Sequence, residues 1–316
     1  MRIKFWGVRG SIPAPIGSKT IREKIVKALQ GAQGVDLDDP RALETYVDSL
    51  PFSIKGAAGG NTSCVEVQAG NVHLIFDAGS GLRELGLELM AGRYGRGQGT
   101  AHLFMSHTHW DHIQGFPFFV PAYVPGNRFY IYSPKKDIRQ RFTIQQIDQD
   151  MFPMRLEDMA AQMEFVNLPR AGVDLNGVRV DCIPLHHPGG SYAYRVRHGD
   201  KILVYATDGE YQDLSNQALQ PYLEFFAGAD VLIFDAMYTF SESMAKEGWG
   251  HSTSLVGVDM AVKTGVKRLV LFHHEPTYSD ETLEEITLKT EQYHSLVREQ
   301  GPLEVILAVE GEELVI

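Results

Sequence analysis

Apolar and polar residues alternate with period two over short runs along much of this chain. Many of the runs stop at a glycine, a proline, an aspartate or a histidine. That alternation predicts half-buried strands. "MRIKFWG" is the first. "SCVEVQAGNVHLIFDAG" predicts two strands joined by a Gly-Asn turn and ending at Asp77. "TAHLFMS" and "RFYIYSP" follow, and "MEFVNLP", "VRVDCIPL", "SYAYRVRHGD" and "KILVYATDG" predict a meander. "DVLIFDAMY" and "VKRLVLFHHEP" are further strands, and "LEVILAVEGEELVI" closes the chain.

Helical spacing appears between them. "GLRELGLELMAG" predicts a short amphipathic helix closed by Gly92, and "KKDIRQRFTIQQIDQ" another over 135–149. "STSLVGVDMAVKTG" predicts a helix capped by Ser252 or Thr253, and 280–300 an amphipathic helix. Two passages of strands, each followed by helices, predict packed sheets with helices outside. Residues 17–58 interrupt this order with two helical patterns, "SKTIREKIVKALQ" and "DDPRALETYVDSL". Neither could bury a core alone, so 17–58 is expected to be a helical insertion in one domain spanning 1–316.

Composition narrows the class. The chain is 44% hydrophobic, which is globular, and its net charge of −11 argues against gripping an extended nucleic acid. A small phosphate substrate stays open, because a bound metal inverts the local field. Cys64 and Cys182 lie in apolar strand-like runs and predict buried thiols in a reducing compartment. No signal-peptide core or membrane-length apolar run is present, so a soluble, cytoplasmic protein without membrane contact is expected.

The candidate chemistry concentrates in "SHTHWDHIQG", residues 106–115, where three histidines and an aspartate fall between His107 and His112. His107 and His109 are two apart at a strand end, so both imidazoles can face one ion. Asp111 and His112, at the start of a helical turn, point beside it. The pattern predicts two metals sharing one site, with zinc suited to the donors and iron or manganese as other occupants. Four side chains are too few for two ions, so further ligands must arrive from elsewhere. Strand ends offer His186 and His187 in "IPLHHPGG", Asp208 in "YATDGE", and His273 and His274 in "LVLFHHEP". Period-two alternation leaves both histidine doublets open.

These motifs, in this order, resemble the metallo-β-lactamase superfamily and its HxHxDH signature. "GVRGSIP" (7–13), "GGNTSCVEV" (59–67), "FDAGSGL" (76–82) and "GHST" (250–253) resemble a narrower branch. That branch holds tRNA 3′-end ribonucleases and cyclic-nucleotide and cyclic-phosphate phosphodiesterases. The resemblance spans nearly all of the chain except 17–58. It implies a four-layer αββα sandwich with the site at the sheet edge. It also implies His107, His109 and His187 on one metal, Asp111, His112 and His273 on the other, and Asp208 bridging. His187 is preferred over His186 because similar sequences place the ligand directly before Pro-Gly-Gly, and His273 over His274 because it directly follows the strand. His186 and His274 remain candidates for orienting a ligand.

The implied activity is hydrolysis of a phosphodiester by a metal pair that activates water and neutralises phosphoryl charge. Asp111 and Asp208 are expected to position the attacking water. His251 in "GHST" is expected to bind the phosphate or protonate the leaving group. "GGNTS" forms a turn in which Asn61 supports the site and substrate, a purely structural turn being an equal reading. Some tRNA-processing relatives carry a long arm before the bridging Asp. Here His187 and Asp208 are 21 positions apart, room for one hairpin. A small cyclic nucleotide or cyclic phosphate is therefore the expected substrate, with a tRNA-type endoribonuclease or a non-phosphate hydrolase as alternatives. Phe116, Phe118, Phe119, Tyr123 and Tyr238 are candidates to stack on a base, with core packing as their competing role. Two other classes, a non-catalytic metal-binding scaffold and a di-iron redox protein, fit less well with an intact ligand set and "GHST". The insertion is expected to cap the pocket or to make a homodimer contact.

Overall fold

Along β1 (Arg2–Gly7) the alternation becomes burial: Ile3 and Phe5 are fully buried while Arg2 points outward. The computed structural model describes residues 1–147, 150, 152–297 and 302–316. In it β1 joins a seven-stranded sheet with β2 (Cys64–Ala69), β3 (Val72–Phe76), β4 (Thr100–Phe104), β5 (Arg128–Ser133) and β6 (Gln162–Asn167). The seventh strand, β14 (Glu313–Val315), lies on the far side of β1. The second sheet sets seven more strands side by side in chain order. They are β7 (Val173–Leu175), β8 (Val178–Leu185), β9 (Ser191–His198), β10 (Lys201–Ala206), β11 (Val231–Asp235), β12 (Arg268–Phe272) and β13 (Glu304–Leu307).

The fully apolar runs are strands covered on both faces. In β3, Leu74 and Phe76 enter the core between the sheets, whereas Ile75 faces the outer helices. In β11, Val231 and Ile233 face the other sheet, and Leu232 and Phe234 face helices. Each such side chain contributes about 1.5–3 kcal/mol through burial. Helices α4 (Gly81–Met90) and α6 (Ile138–Gln145), with the single turn α5 (Trp110–Ile113) between them in the chain, cover the first sheet with Leu82, Leu85, Ile113, Ile138 and Phe142. Helices α7 (Asn216–Phe226) and α9 (Ser254–Thr264) cover the second with Leu219, Phe226, Val258 and Ala261. The result is the expected helix–sheet–sheet–helix sandwich.

Helix α9 starts at a Thr253 cap whose side chain accepts from the Val256 N–H. Helix α10 (Asp280–Val297) follows the expected pattern, and the last three positions of that expectation, 298–300, lie outside the described residues. So do 148 and 149 at the end of the expected 135–149 helix.

The structure corrects one sequence expectation and adds detail to the rest. "MEFVNLP" is not part of the meander: it is β6, paired in parallel with β5 at the edge of the first sheet. The closing segment divides, β13 pairing with β12 and β14 returning to β1. Helices α7 and α8 (Phe240–Ala245) and strand β7 lay outside the sequence reading. Sheet partners are chosen by long-range burial, which alternation within one run does not encode.

The inserted segment forms α1 (Ser18–Gly31), α2 (Pro40–Ser49) and the single turn α3 (Phe52–Lys55). It is pinned through polar groups. Lys24 is buried, 2.7 Å from Asp280 at the start of α10, and donates to the carbonyls of Ser53 and Gly56. Glu284 of α10 accepts from the Phe52 N–H and the Ser53 hydroxyl. The apolar stripe of α1, Ile21, Ile25 and Leu29, stays exposed. Among the described residues no helix is long and apolar enough to cross a membrane.

Strand direction places the site. β3, β4 and β5 run parallel, as do β10, β11 and β12. β8 and β10 each pair antiparallel with β9, so β8 runs with β10. The carboxyl ends of β3, β4, β8, β10, β11 and β12 therefore face one edge, where Asp77, His107, His187, Asp208, Asp235 and His273 emerge.

Candidate metal centre

Backbone conformation turns these side chains inward. Among the described residues five that are not glycine have positive φ, and four of them are at this edge: Ser11 (60°), Asp77 (59°), Asp208 (57°) and His273 (62°). The fifth, Asn176, is an ordinary hairpin-turn residue. A left-handed conformation costs a non-glycine residue about 1–3 kcal/mol and persists only where its surroundings enforce it. Here it bends the chain at the strand end and aims the carboxylate or imidazole at the gap between the sheets.

Among the described residues four overlapping groups of candidate ligand atoms result, two of them sharing His251, and the other two hold the expected ligands. His107, His109 and His187 have nitrogens within 4.8 Å of one another, and so do the ligand atoms of Asp111, His112, Asp208 and His273. His109 presents Nδ1, 3.0 Å from His187 Nε2. Asp208 lies between the groups. Its Oδ2 is 3.6 Å from both His107 Nε2 and His187 Nε2. Its Oδ1 is 3.1 Å from His112 Nε2 and 3.3 Å from His273 Nε2. Asp111 Oδ2 is 3.3 Å from His112 Nε2 and 3.2 Å from His273 Nε2. All seven candidate ligands thus converge, with the two oxygens of Asp208 facing the two groups.

The residues present fit a pair of divalent cations. His107 Nε2 is buried with no hydrogen-bond partner, an orphan that a metal would satisfy. His112 Nε2 and His273 Nε2 face each other at 3.3 Å, which suits two lone pairs directed at a common ion. Burial lowers the pKa of His107 far below the usual imidazole range, leaving it neutral as a ligand must be. Burial by itself disfavours the charged form of Asp111 and Asp208, yet neighbouring histidines, His112 foremost, hold both carboxyls well below their usual range. The carboxylates Asp208, Asp111 and Asp77 in turn outweigh burial at His112 and raise it well above its usual value. The centre is a concentration of negative charge that needs positive charge inside it.

The supporting groups include two that sequence reasoning passed over. Asp77 Oδ2 is 2.8 Å from His112 Nδ1 and accepts from Tyr205 and Ser106 hydroxyls, while its Oδ1 accepts from the Ser106 N–H. Asp235 Oδ2 is 2.8 Å from His251 Nδ1 and accepts from the Asp208 N–H. A signal existed: "LIFDA" occurs twice, at 74–78 and 232–236. Each copy ends a fully buried strand with an aspartate that holds the Nδ1 of one histidine, leaving that ring's Nε2 for the site. Replacing Asp77 with alanine is expected to weaken metal binding about 10–100-fold, read by competition with a chelator.

His187 is oriented by backbone. Its Nδ1 donates to the Gly250 carbonyl at 2.8 Å, which leaves Nε2 as the ligand atom. A Cβ on Gly250 would lie 2.2 Å from His187 Nδ1, and φ there is 87°. The glycine of "GHST" therefore lets the backbone reach the ligand. Gly250→Ala is expected to displace His187 and lower metal occupancy, measured by elemental analysis. Asp111 is fixed by the Ser11 N–H at 2.7 Å.

His251 sits against both groups, its ring centroid 5.0 Å from that of His273 and 5.2 Å from that of His187. Burial disfavours its imidazolium, but Asp235, then Asp208 and Asp111, raise its pKa to about 9.

The doublets resolve. His186 is exposed, and His274 is buried with its Nε2 2.9 Å from the Ala308 carbonyl, burial pushing its pKa down to about 3. Neither enters the cluster. Asn61 is held within the "GGNTS" turn. Its side chain accepts from Ser80 Oγ and donates to Glu310, and its carbonyl takes the Val8 and Arg9 N–H groups. It ties the "GGNTS" turn to β1. Of the stacking candidates, Phe116 and Phe119 are core residues, Tyr123 donates its hydroxyl to the Pro117 carbonyl, and Tyr238 is buried edge-on to His251. Phe118 remains exposed.

Comparison with known proteins agrees with this geometry. A sequence model of the β-lactamase superfamily domain matches residues 73–274. The chain is 24% identical over 271 residues to a ribonuclease Z of Picrophilus torridus, covering 70% of this chain and 82% of that protein. The metallo-β-lactamase fold protein YhfI of Bacillus subtilis superposes with a TM-score of 0.63 at 18% identity, over 99% of this chain and 98% of the other. A diphosphatase from the PhnP family superposes with a TM-score of 0.56, also at 18% identity, over 100% and 97% of the chains. The αββα sandwich, the histidines and aspartates gathered at its edge and the match across 73–274 make this chain a member of the metallo-β-lactamase superfamily.

Proposed function

We propose that this superfamily hydrolase uses two divalent metals, zinc by the chemistry of its donors, to cleave the phosphodiester of a small cyclic nucleotide or cyclic phosphate. The observation that carries the reading is Asp208 facing both ligand groups, with His251 held by Asp235 over the same cluster. When bound, the metal pair supplies an acidified water and positive charge for the phosphoryl oxygens. Asp111 and Asp208 accept hydrogen bonds from the water and align it on phosphorus. As the P–O bond on the opposite side breaks, His251 Nε2 gives its proton to the leaving oxygen. Asp235 keeps that ring in place through Nδ1.

A small substrate is favoured by the connection between His187 and Asp208. It is the tight hairpin of β9 and β10, with no arm to hold an RNA, and the chain carries a net charge of −11. The likeness to ribonuclease Z supports a second reading, endonucleolytic cleavage of a tRNA precursor. One panel separates them: cyclic mononucleotides, cyclic dinucleotides, 2′,3′-cyclic phosphates and a tRNA precursor, each with zinc and with manganese. Turnover confined to the small diesters supports the first reading. Turnover confined to the precursor supports the second. Absence of cleavage of any diester, bis(p-nitrophenyl) phosphate included, by fully metallated protein would sink both.

Of the two roles expected for the insertion, capping the pocket or making a dimer contact, the exposed stripe Ile21, Ile25 and Leu29 supports the dimer contact. Ile25→Glu is expected to shift a dimer to monomer in sedimentation, and an unchanged mass would remove the assignment.

A further inference from the structure

The chain has three tryptophans. Trp6 is buried and donates its indole N–H to Glu66. The other two are exposed, and each adjoins a group of the metal centre in the chain. Trp110, 75% exposed, lies between His109 and Asp111. Trp249, 61% exposed, precedes the Gly250 whose carbonyl holds His187. Exposure of a single ring says little on its own. The bend that carries Trp249 says more.

Its two neighbours, Gly248 and Gly250, have φ of 84° and 87°. One carboxylate clamps both. Glu210, two residues after Asp208, accepts from the Gly248 N–H through Oε1 at 2.8 Å and from the Gly250 N–H through Oε2 at 3.0 Å. Its side chain is only 10% exposed. The two stems of the loop 239–250 are joined beside the centre, where the Tyr238 N–H donates to the Ser252 carbonyl at 3.1 Å. A carboxylate drawn out of water to hold the N–H groups on either side of one residue fixes the bend on which that residue stands. Little backbone ordering is then left to be lost when the ring meets a ligand.

A second ring links Trp249 to the centre through a cation. Lys246 Nζ is 4.1 Å from the centroid of the Tyr238 ring and 5.8 Å from that of Trp249. Glu242, the carboxylate in the field of Lys246, is engaged by the Thr239 N–H and by the hydroxyls of Thr239 and Tyr278. Tyr238 is edge-on to His251, their centroids 5.6 Å apart. His251, Tyr238, Lys246 and Trp249 thus form a run of contacts leading outward from the histidine that serves the leaving oxygen.

We infer that Trp249 is a specificity-determining residue that stacks on the nucleobase of the substrate, which makes the small diester a cyclic nucleotide and not a cyclic phosphate without a base. The inference rests on the phosphodiesterase reading above. In a cyclic nucleotide the leaving oxygen and the base belong to one nucleoside, so the sugar that receives the proton of His251 carries the base on the side of this run. An exposed aromatic face takes any base, since every base has a π-face, and a bare sugar phosphate offers none.

Steady-state kinetics of the metal-loaded wild type, Trp249→Ala and Trp249→Phe test this. The substrates are a 2′,3′-cyclic and a 3′,5′-cyclic nucleotide, each beside the same sugar cyclic phosphate with no base. Wild type is expected to show a KM about tenfold or more lower for the nucleotide it cleaves than for its base-free counterpart. In Trp249→Ala the nucleotide KM should rise by about that factor, with a much smaller change in kcat and in the base-free KM, and Trp249→Phe should recover most of the loss. Elemental analysis confirms two metals in each protein. Equal losses on both kinds of substrate, or an unchanged nucleotide KM in Trp249→Ala, would overturn the inference and leave the phosphodiesterase reading standing. So would a wild type that takes the base-free compound as well as the nucleotide, whatever the variants do. A wild type that cleaves no cyclic diester removes that reading, and the inference with it.

Discussion

Asp208→Asn is expected to lower phosphodiesterase activity at least about 10³-fold and to reduce bound metal from two ions per chain towards one. Asparagine keeps the shape of the side chain and tolerates the left-handed backbone at this position, φ 57°, so the fold should survive. What it loses is the charge shared between the two groups, and one of the two oxygens that face His107 and His187 on one side and His112 and His273 on the other. Native mass spectrometry reads the metal count and circular dichroism the fold. A folded variant with two metals and the wild-type rate would remove Asp208 from the bridge.

His251→Ala is expected to leave both metals bound and to reveal its role through the leaving group. With a cyclic nucleotide, whose leaving alkoxide needs a proton, the rate should fall about 10²–10⁴-fold. With bis(p-nitrophenyl) phosphate, whose leaving group departs as an anion at neutral pH, the loss should be far smaller. A histidine that only filled space, or only bound the phosphate, would depress both substrates alike. The distinction rests on geometry: Asp235 takes Nδ1 at 2.8 Å, leaving Nε2 as the nitrogen available to the substrate.

The strands, the main helices and the candidate cluster from His107 to His112 were legible because each leaves a local mark. β11 reads as an unbroken apolar run because it is covered on both faces, and His107 to His112 read as a ligand cluster because few other purposes need that density. Less legible were groups whose role depends on a partner distant in sequence. Asp77 and His112 are 35 positions apart, and Asp235 and His251 are 16 apart. The repeated "LIFDA" marks both aspartates, but its meaning appears only when the neighbouring strand end brings a histidine to 2.8 Å. The same limit misplaced "MEFVNLP", whose alternation is right for a strand and silent about which strand it joins.

The sequence by itself therefore determined packed sheets with helices outside and a dense histidine–aspartate cluster short of ligands, while its resemblance to the superfamily implied the four-layer sandwich and the seven candidate ligands in two sets. Alternation, helical spacing and ligand density are properties of short stretches of chain. The tertiary structure decided between His186 and His187 and between His273 and His274, and it committed Asn61 to the turn. It also turned Ser11, Asp77, Asp208 and His273 through positive φ. Those outcomes depend on which strand ends meet and on which backbone conformations their packing can enforce, a free energy that resides in the assembled fold.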